Sequence, residues 1–250
     1  MLLPSSVRTV FIVTSSNSVA SLSVHPRVVC LPRVSHRQEV IEVSAFVRLA
    51  PADLDPLRPR PSRVGSKSYV GRWWFASLGR HVGFASLAER HLLMLLDYSG
   101  TVREIVRDPC LVLRARGSHA VAQPWLYISR ENQPRALLAH GASDDLQELS
   151  DVFASTPMAI ATIAVHDRSD LSTVEWLSAY RFSRCRLGPD VERMLLDACG
   201  EPQALARVIE RLPVDAALAR VGVYALLWQR RLLLTNGTAP PSNTSLVVAA

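Results

Sequence analysis

Apolar positions in the middle of the chain change from strand-like to helix-like spacing and back again. Short apolar or alternating runs predict strands over Tyr69–Ser77, Val82–Phe84, Val102–Val106, Cys110–Leu113, Val121–Ile128 and Ala136–Ala139. Apolar residues three and four apart predict helices over Leu87–Tyr98 and from Ser143 or Asp144 to about Ala154. The nearly continuous apolar run Met158–Val165 is typical of a central strand. This order predicts an α/β arrangement of layers.

The first 65 residues lack such regular spacing. Weak strand candidates lie at Val7–Val13, Val28–Leu31 and His36–Leu49. A basic, proline-broken stretch follows, with the residues Pro51, Pro56, Arg58, Pro59, Arg60, Pro61 and Arg63. Because proline lacks an N–H and fixes φ, this stretch predicts a linker and not a packed element. We therefore predict an irregular extension and linker over residues 1–65 and a first domain over 66–168.

The last third of the chain, residues 169–250, has mainly helical spacing. The pattern predicts four helices, at Thr173–Tyr180, Asp190–Ala198, Pro202–Leu212 and from Pro213 to near Gln229. Two apolar segments, Leu232–Leu234 and Ser245–Val248, are expected to pair as a hairpin across a loop rich in Gly and Pro. Helix, turn, helix and hairpin is the order of a winged helix, and a generic helical subdomain fits the pattern equally well.

Composition and charge indicate a globular protein with an anionic partner. Hydrophobic residues make up 48% of the 250 residues, and the formal net charge is +6. A positive net charge suits nucleic acid, and nearly all basic residues are arginines, which contact phosphate in bidentate fashion. An arginine-rich composition is also what a G+C-rich genome produces. The four cysteines lack metal-site spacing, and no run approaches the roughly 18 apolar residues of a membrane span, which favours a cytoplasmic protein with reduced thiols.

Several short motifs follow one another from residue 71 onward. They are an aromatic hairpin, a Ser-x-x-Glu element on a helix, an acidic/aromatic pair, and a Val-x-x-Ile strand before a turn. In this sequence they are Gly71-Arg-Trp-Trp, Ser86-Leu-Ala-Glu89, Asp97-Tyr98 and Val102-Arg-Glu-Ile105, followed by Asp108-Pro109. Val174–Arg184 and Leu226–Leu232 continue the series. Over about residues 66–249 the chain resembles TnsA-like heteromeric transposase endonucleases.

The resemblance implies a restriction-endonuclease-like fold, a mixed sheet flanked by helices, with three catalytic positions. These are a Glu on a helix, an Asp in a strand and a Lys on the following strand. In such a site two carboxylates hold Mg²⁺ beside the scissile phosphate, and the lysine stabilises developing negative charge. Carried over, Glu89 is the retained catalytic residue and metal ligand, Pro124 stands at the Asp position, and His140 stands at the Lys position. The resemblance therefore predicts lost or reduced cleavage, with one of the expected Mg²⁺ ligands in place.

Other residues bear on this hypothesis. Asp108 is a candidate to compensate for the missing carboxylate, although turn preferences favour a plain turn residue before Pro109. Glu89 taken by itself is typical of a solvated helix residue. The cluster of Arg181, Arg184 and Arg186 is either a solvated basic turn or a DNA-contacting patch.

The functional expectation is a DNA-processing subunit that acts on transposon ends. In active relatives this subunit cuts the 5′ ends, beside a DDE-type transposase subunit that cuts the 3′ ends and an AAA+ ATPase regulator. Here a role in DNA docking or partner binding is expected. Two alternatives stay open: a winged-helix DNA-binding regulator, and a non-functional remnant of a mobile element.

Overall fold

The chain folds into two units, each built from separate stretches of sequence. The computed structural model describes residues 11–13, 26–57, 69–113, 120–139, 143–163, 168–235 and 240–250. The sheet unit lies within Val10–Leu87 and Thr101–Ala164. The helical unit combines Ala88–Gly100 with Val165–Ala250.

Strands and helices alternate in the order that an α/β protein requires. The strands are β1 Phe11–Val13, β2 Arg27–Cys30, β3 Glu39–Glu42, β4 Gly71–Phe75, β5 Arg80–Phe84, β6 Val102–Arg107, β7 Cys110–Leu113, β8 Ala120–Ala122, β9 Leu126–Arg130, β10 Gln133–Leu138, β11 Ala159–Ile163, β12 Gln203–Ala204, β13 Leu232–Leu234 and β14 Leu246–Ala249. The helices are α1 Val43–Phe46, α2 Leu87–Ser99, α3 Ser143–Phe153, α4 Arg168–Leu177, α5 Pro189–Ala198, α6 Leu205–Glu210 and α7 Ala216–Trp228. Short 3₁₀ turns lie at Pro51–Asp53, Ser178–Tyr180 and Ser183–Cys185. The α/β class predicted from the spacing is confirmed.

A five-stranded mixed sheet forms the centre of the sheet unit, in the order β1-β11-β10-β9-β6. Strands β10 and β11 are parallel, and the other neighbours are antiparallel. Helix α3 lies between β10 and β11 in the chain, because two parallel strands need a crossover connection. Consecutive residues are buried in β6, β9 and β10, at 105–106, 126–128 and 136–138, so these parts of the sheet are covered on both faces.

The main core of the sheet unit lies against one face of this sheet. Val106, Tyr127 and Leu137 are aligned across three neighbouring strands and so point to the same side. They pack with Phe46 of α1 and Phe153 of α3 in one apolar cluster. The Tyr127 hydroxyl is satisfied by a hydrogen bond that it donates to the Leu49 carbonyl at 2.7 Å.

A second sheet, of four strands in the order β3-β2-β7-β8, shares a long hairpin with the first sheet. Strand β6 pairs with β9 in the first sheet, while their continuations β7 and β8 pair in the second. The predicted single strand Val121–Ile128 is therefore wrong. It is two strands, because Pro124 between them has no N–H for a ladder and the chain bends there into the other sheet.

Residues 26–57 belong to the sheet unit and are not the irregular extension expected from their spacing. Strand β2 pairs with β7, so a segment without a clear local pattern is held by a distant partner. Within the predicted strand His36–Leu49, only Glu39–Glu42 is extended, and α1 follows it directly. The Pro/Arg-rich stretch from Arg58 and the start of the Val7–Val13 candidate lie outside the described residues.

The hairpin of β4 and β5 forms a two-stranded sheet of its own. Its turn ends at Gly79, whose φ of 62° favours glycine. The Arg80 guanidinium donates a hydrogen bond to the Ile105 carbonyl of β6. The predicted hairpin over Tyr69–Phe84 is confirmed.

The helical unit is organised around α7. This helix is buried along its whole second half, from Gly222 to Trp228, because nearly all of its side chains are apolar. Gly222 permits a close approach, since a Cβ there would lie 2.2 Å from Leu187 Cγ. Tyr224 packs edge-on against Trp176 of α4, with ring centroids 4.5 Å apart.

A small three-stranded sheet, in the order β12-β14-β13, completes the helical unit. The predicted pairing of the last two apolar segments is confirmed, with Leu233 opposite Val248. The predicted helix starts at Pro202 and Pro213 are wrong by a few residues. Helix α6 begins at Leu205 after β12, and α7 begins at Ala216 because the Asp215 carboxylate caps it by accepting from the N–H groups of Ala217 and Leu218. No helix among the described residues is long and apolar enough to cross a membrane.

Candidate functional site at the corner of the two sheets

Asp108 lies where the shared hairpin turns from one sheet into the other. Its φ of 45° is unusual for a residue other than glycine and marks the bend before Pro109. Its N–H donates to the Trp125 carbonyl at 2.8 Å, and its carbonyl accepts from the Leu57 N–H at 2.9 Å. The turn residue predicted from the sequence is present, and three segments of chain meet at it.

The Asp108 side chain is buried and held by two polar partners. Only 2% of the residue is exposed. Gln123 Nε2 donates to Asp108 Oδ1 at 3.1 Å, and Arg107 Nε lies 3.4 Å from Asp108 Oδ2. A buried carboxylate requires such partners, because leaving it uncompensated in the interior is costly. Arg107, Asp108 and Gln123 are here called the corner triad.

The Arg107 side chain reaches its buried place because Gly83 has no side chain. A Cβ built on Gly83 would lie 3.3 Å from Arg107 Nη1, tighter than ordinary van der Waals contact. The Arg107 side chain is 9% exposed and lies beside an Asp108 side chain that is 2% exposed. The guanidinium thus lies against the Asp108 carboxylate in the interior of the sheet unit.

The residues implied by the resemblance fall in different parts of the structure. Pro124 is buried directly before β9, and the next residue, Trp125, donates its N–H to the Leu138 carbonyl at the end of β10 at 2.7 Å. Glu89 lies in α2 and belongs to the helical unit. His140 lies outside the described residues. Glu89 is 6% exposed, so the solvated helix residue that its sequence context suggested is wrong.

These residues do not fit a Mg²⁺ site. Proline at position 124 offers no side-chain ligand, and Asp108 already holds the Arg107 guanidinium and the Gln123 amide. Mg²⁺ requires near-octahedral oxygen ligands, usually including one or two carboxylates free to bind it. Among the described residues no group of three or more His, Cys, Asp and Glu side chains could hold a metal ion.

No protein-family model matches the chain, and no curated protein matches it either. The resemblance to TnsA-like endonucleases therefore stays a prediction carried by the ordered motifs.

The predicted basic cluster lies on the loop after α4, within the helical unit. Arg184 and Arg186 are exposed, while Arg181 is half-buried. Two of the guanidinium groups pack on the Phe182 ring. The distance to the ring centroid is 4.2 Å for Arg181 and 4.9 Å for Arg184. Both contacts are of the cation–π kind, and they hold two cations on one short loop.

Arg181 differs from its two neighbours in having structural partners. Its guanidinium donates to the Ser178 carbonyl and interacts with the buried Asp97 of α2. Burial lowers the pKa of the Arg181 guanidinium, the positive charge of Arg90 lowers it further, and the negative charge of Asp97 opposes that shift. Of the three predicted DNA contacts, Arg184 and Arg186 are accessible to a phosphate, and Arg181 supports the loop.

Sequence reasoning did not single out two of the three corner residues. Arg107 comes directly before the dipeptide Asp108-Pro109, and Gln123 comes directly before Pro124. Two such dipeptides in neighbouring strands are a local signal for a bend, since the residue before proline is restricted. Only the pairing of β6 with β9 shows that the two bends face each other.

Proposed function

We propose that this chain is a DNA-docking subunit of a heteromeric transposase, in which a nuclease-like sheet has lost or nearly lost cleavage. The observation that carries the proposal is Pro124 at the edge of a mixed sheet, where the resemblance implies a metal-binding aspartate. The sheet itself, with α3 joining the parallel strands β10 and β11, is of the mixed, helix-flanked kind that a restriction-endonuclease-like fold has.

The corner triad supports the loss of cleavage. Asp108 lies beside this part of the chain, since its N–H bonds to the carbonyl of Trp125, the residue that follows position 124. Its oxygens bind Arg107 and Gln123. An internal guanidinium thereby compensates the negative charge that a catalytic carboxylate would offer to a cation. In this proposal, the ion pair of Arg107 and Asp108 replaces the metal site of the endonucleases that the chain resembles.

Exposed arginines support a role in docking on DNA. Arg184 and Arg186 lie on a loop that has no acidic side chain between Tyr180 and Gly188. Phosphate contacts by arginine position a protein on a duplex without reading its sequence. In this proposal the subunit binds the ends of the mobile element in the cytoplasm, while a DDE-type subunit performs the strand cleavage and an AAA+ ATPase regulates the assembly.

A nicking assay combined with a band shift tests this proposal. Purified chain is incubated with Mg²⁺ or Mn²⁺ and duplex DNA carrying the ends of its element, and with a duplex of unrelated sequence. The expected result is a salt-dependent band shift without strand cleavage, in the wild type and in Glu89→Ala alike. Robust cleavage that Glu89→Ala abolishes would overturn the claim of lost activity. Absence of any band shift would overturn the docking role.

The winged-helix regulator is a second candidate, favoured by one observation. Strand β12 precedes α6 and α7 and pairs with β14 of the final hairpin, so a single small sheet joins the helices to the hairpin. In helix-turn-helix proteins the second helix enters the major groove. Here that helix is α7, whose residues from Gly222 to Trp228 are buried, which leaves only its first turn for DNA. The winged-helix hypothesis predicts that the wild type protects an operator-like site in a footprinting experiment. The substitution Leu218→Asp in this first turn is then expected to abolish the protection.

The hypothesis that the chain is a non-functional remnant of a mobile element differs from the docking hypothesis in the stability that it predicts. A decayed chain has no selection for a cooperative fold, whereas a docking subunit must fold. Thermal unfolding followed by circular dichroism distinguishes them. A single cooperative transition supports a functional protein, and a broad non-cooperative one supports the remnant.

A further inference from the structure

The hairpin of β4 and β5 has one buried face and one outer face. Opposed residues of an antiparallel pair share a face, so the register separates the side chains into two sets. The first set contains the buried apolar residues Trp73, Phe75, Val82 and Phe84, and the register places Gly71 and Arg80 on the same face. The outer set is polar and aromatic and consists of Arg72, Trp74, His81 and Gly83.

The outer face carries a cation beside a pair of aromatic rings. Arg72 and His81 are exposed, and Trp74 is partly exposed. The Trp74 and His81 rings lie opposite each other with centroids 5.1 Å apart at an interplanar angle of 65°. Gly83, opposite Arg72, is the position against which the Arg107 guanidinium packs. The Arg107 guanidinium therefore covers the Gly83 end of this face, and Arg72, Trp74 and His81 form its accessible part.

The sequence around the hairpin contains no acidic residue. Between Asp55 and Glu89 there is neither Asp nor Glu. The same stretch contains the cations Arg58, Arg60, Arg63, Lys67, Arg72 and Arg80. Six cations and no carboxylate give this stretch of sequence a formal charge of +6, which suits an anionic partner.

We propose that the outer face of this hairpin binds duplex DNA, with Arg72 on a phosphate and the Trp74–His81 pair against the adjoining sugar or base edges. A two-stranded β-ribbon is one of the two elements that the major groove admits, and β4 with β5 is a two-stranded sheet. Charge complementarity favours this partner, because the stretch has six cations and no carboxylate, and arginine contacts phosphate well. The inference rests on the DNA partner of the proposed function and adds a contact surface beside the corner triad.

Two substitutions separate the ionic and the aromatic parts of this surface. Arg72→Gln removes one phosphate contact, so the slope of log Kd against log salt decreases by about 0.9, and affinity at low salt decreases with it. Trp74→Leu keeps an apolar side chain and removes the indole. It weakens binding at every salt concentration and leaves the slope unchanged, because no counterion is released by that contact.

The measurement is fluorescence anisotropy of a labelled duplex at several salt concentrations, with Arg193→Gln as the control. Arg193 is exposed, pairs with Asp190 in the helical unit, and its loss changes net charge by the same amount. The control is expected to leave both Kd and slope near the wild-type values. Circular dichroism melting of each variant establishes that it is folded.

The outcomes separate this inference from the proposed function. If the wild type binds duplex DNA but Arg72→Gln and Trp74→Leu behave like Arg193→Gln, the hairpin surface is overturned while docking survives. Tighter binding to the single strand than to the duplex would overturn the duplex as the partner. If the wild type binds no duplex at all, both the inference and the docking role are overturned.

Discussion

Gln123 donates a hydrogen bond to Asp108 over 3.1 Å, across the corner at which one hairpin passes between two sheets. The two residues come from neighbouring strands and each stands directly before a proline. This bond satisfies one oxygen of a buried carboxylate, and Arg107 lies beside the other at 3.4 Å. The corner is therefore a structural ion pair and hydrogen bond beside Pro124, the position at which the resemblance implies a catalytic aspartate.

Asp108→Asn is expected to destabilise the fold strongly. The variant leaves the buried Arg107 guanidinium without its carboxylate, and breaking a buried pair in this way costs about 3–5 kcal/mol. Urea unfolding measures the loss. Asp55→Asn is the control, since its pair with Arg33 is partly exposed and such pairs contribute about 0–1 kcal/mol. Equal effects of the two substitutions would contradict the structural role of the corner triad.

Gly222→Ala is expected to destabilise the helical unit despite the better helix propensity of alanine. The new Cβ would lie 2.2 Å from Leu187 Cγ, and such overpacking costs about 1–3 kcal/mol against about 1 kcal/mol gained in propensity. Adding Leu187→Ala removes the clash and should make the two effects non-additive in a double-mutant cycle. Gly188→Ala, where a Cβ meets nothing within 4 Å, is expected to be nearly neutral.

The unfolding free energy is expected to decrease as pH rises from 9 towards 11. Burial, together with the negative charge of Glu39, raises the pKa of the Cys30 thiol from 9.0 to about 11. In this range the unfolded chain loses the thiol proton while the folded chain retains it, so rising pH favours unfolding. A shift of this size corresponds to about 3 kcal/mol once both states have titrated.

Cys30→Ala isolates that contribution. Urea midpoints for wild type and variant are compared at pH 7, where the Cys30 thiol is protonated in the folded and in the unfolded chain. The comparison is repeated at steps up to pH 10. The difference between the two proteins should change with pH above about 9 and stay constant below it. A difference that is independent of pH throughout would show that Cys30 does not titrate as its burial implies.

Arg184→Gln combined with Arg186→Gln is expected to weaken binding to duplex DNA and to reduce the salt slope by about 1.8, which is two phosphate contacts. The fold should be unaffected because both side chains are exposed. Arg181→Gln provides the contrast, since its guanidinium bonds to Ser178 and interacts with the buried Asp97. That variant should lower the melting temperature. A slope unchanged in the double variant would remove this loop from the DNA-binding surface.

The elements of the structure follow closely from local patterns. Alternation predicted the hairpin with Gly79 in its turn, and helical spacing predicted the helix that carries Glu89. The pairing of Leu232–Leu234 with the final apolar segment also follows from the sequence, because a short connection brings neighbouring strands together at little entropic cost. Local spacing was enough for these elements because the signal and the contact lie close together in the chain.

Tertiary structure decided which strands share a sheet and which polar residues are buried. Cys30 faces Cys110 across β2 and β7, and no periodicity near either residue indicates that partner. Glu89 has the sequence context of a solvated helix residue and Asp108 that of a turn residue, yet both are buried in the fold. The sequence by itself determined the α/β class and the absence of an aspartate at position 124. That a guanidinium compensates Asp108 required the fold, because burial and ion pairing arise from non-local contacts.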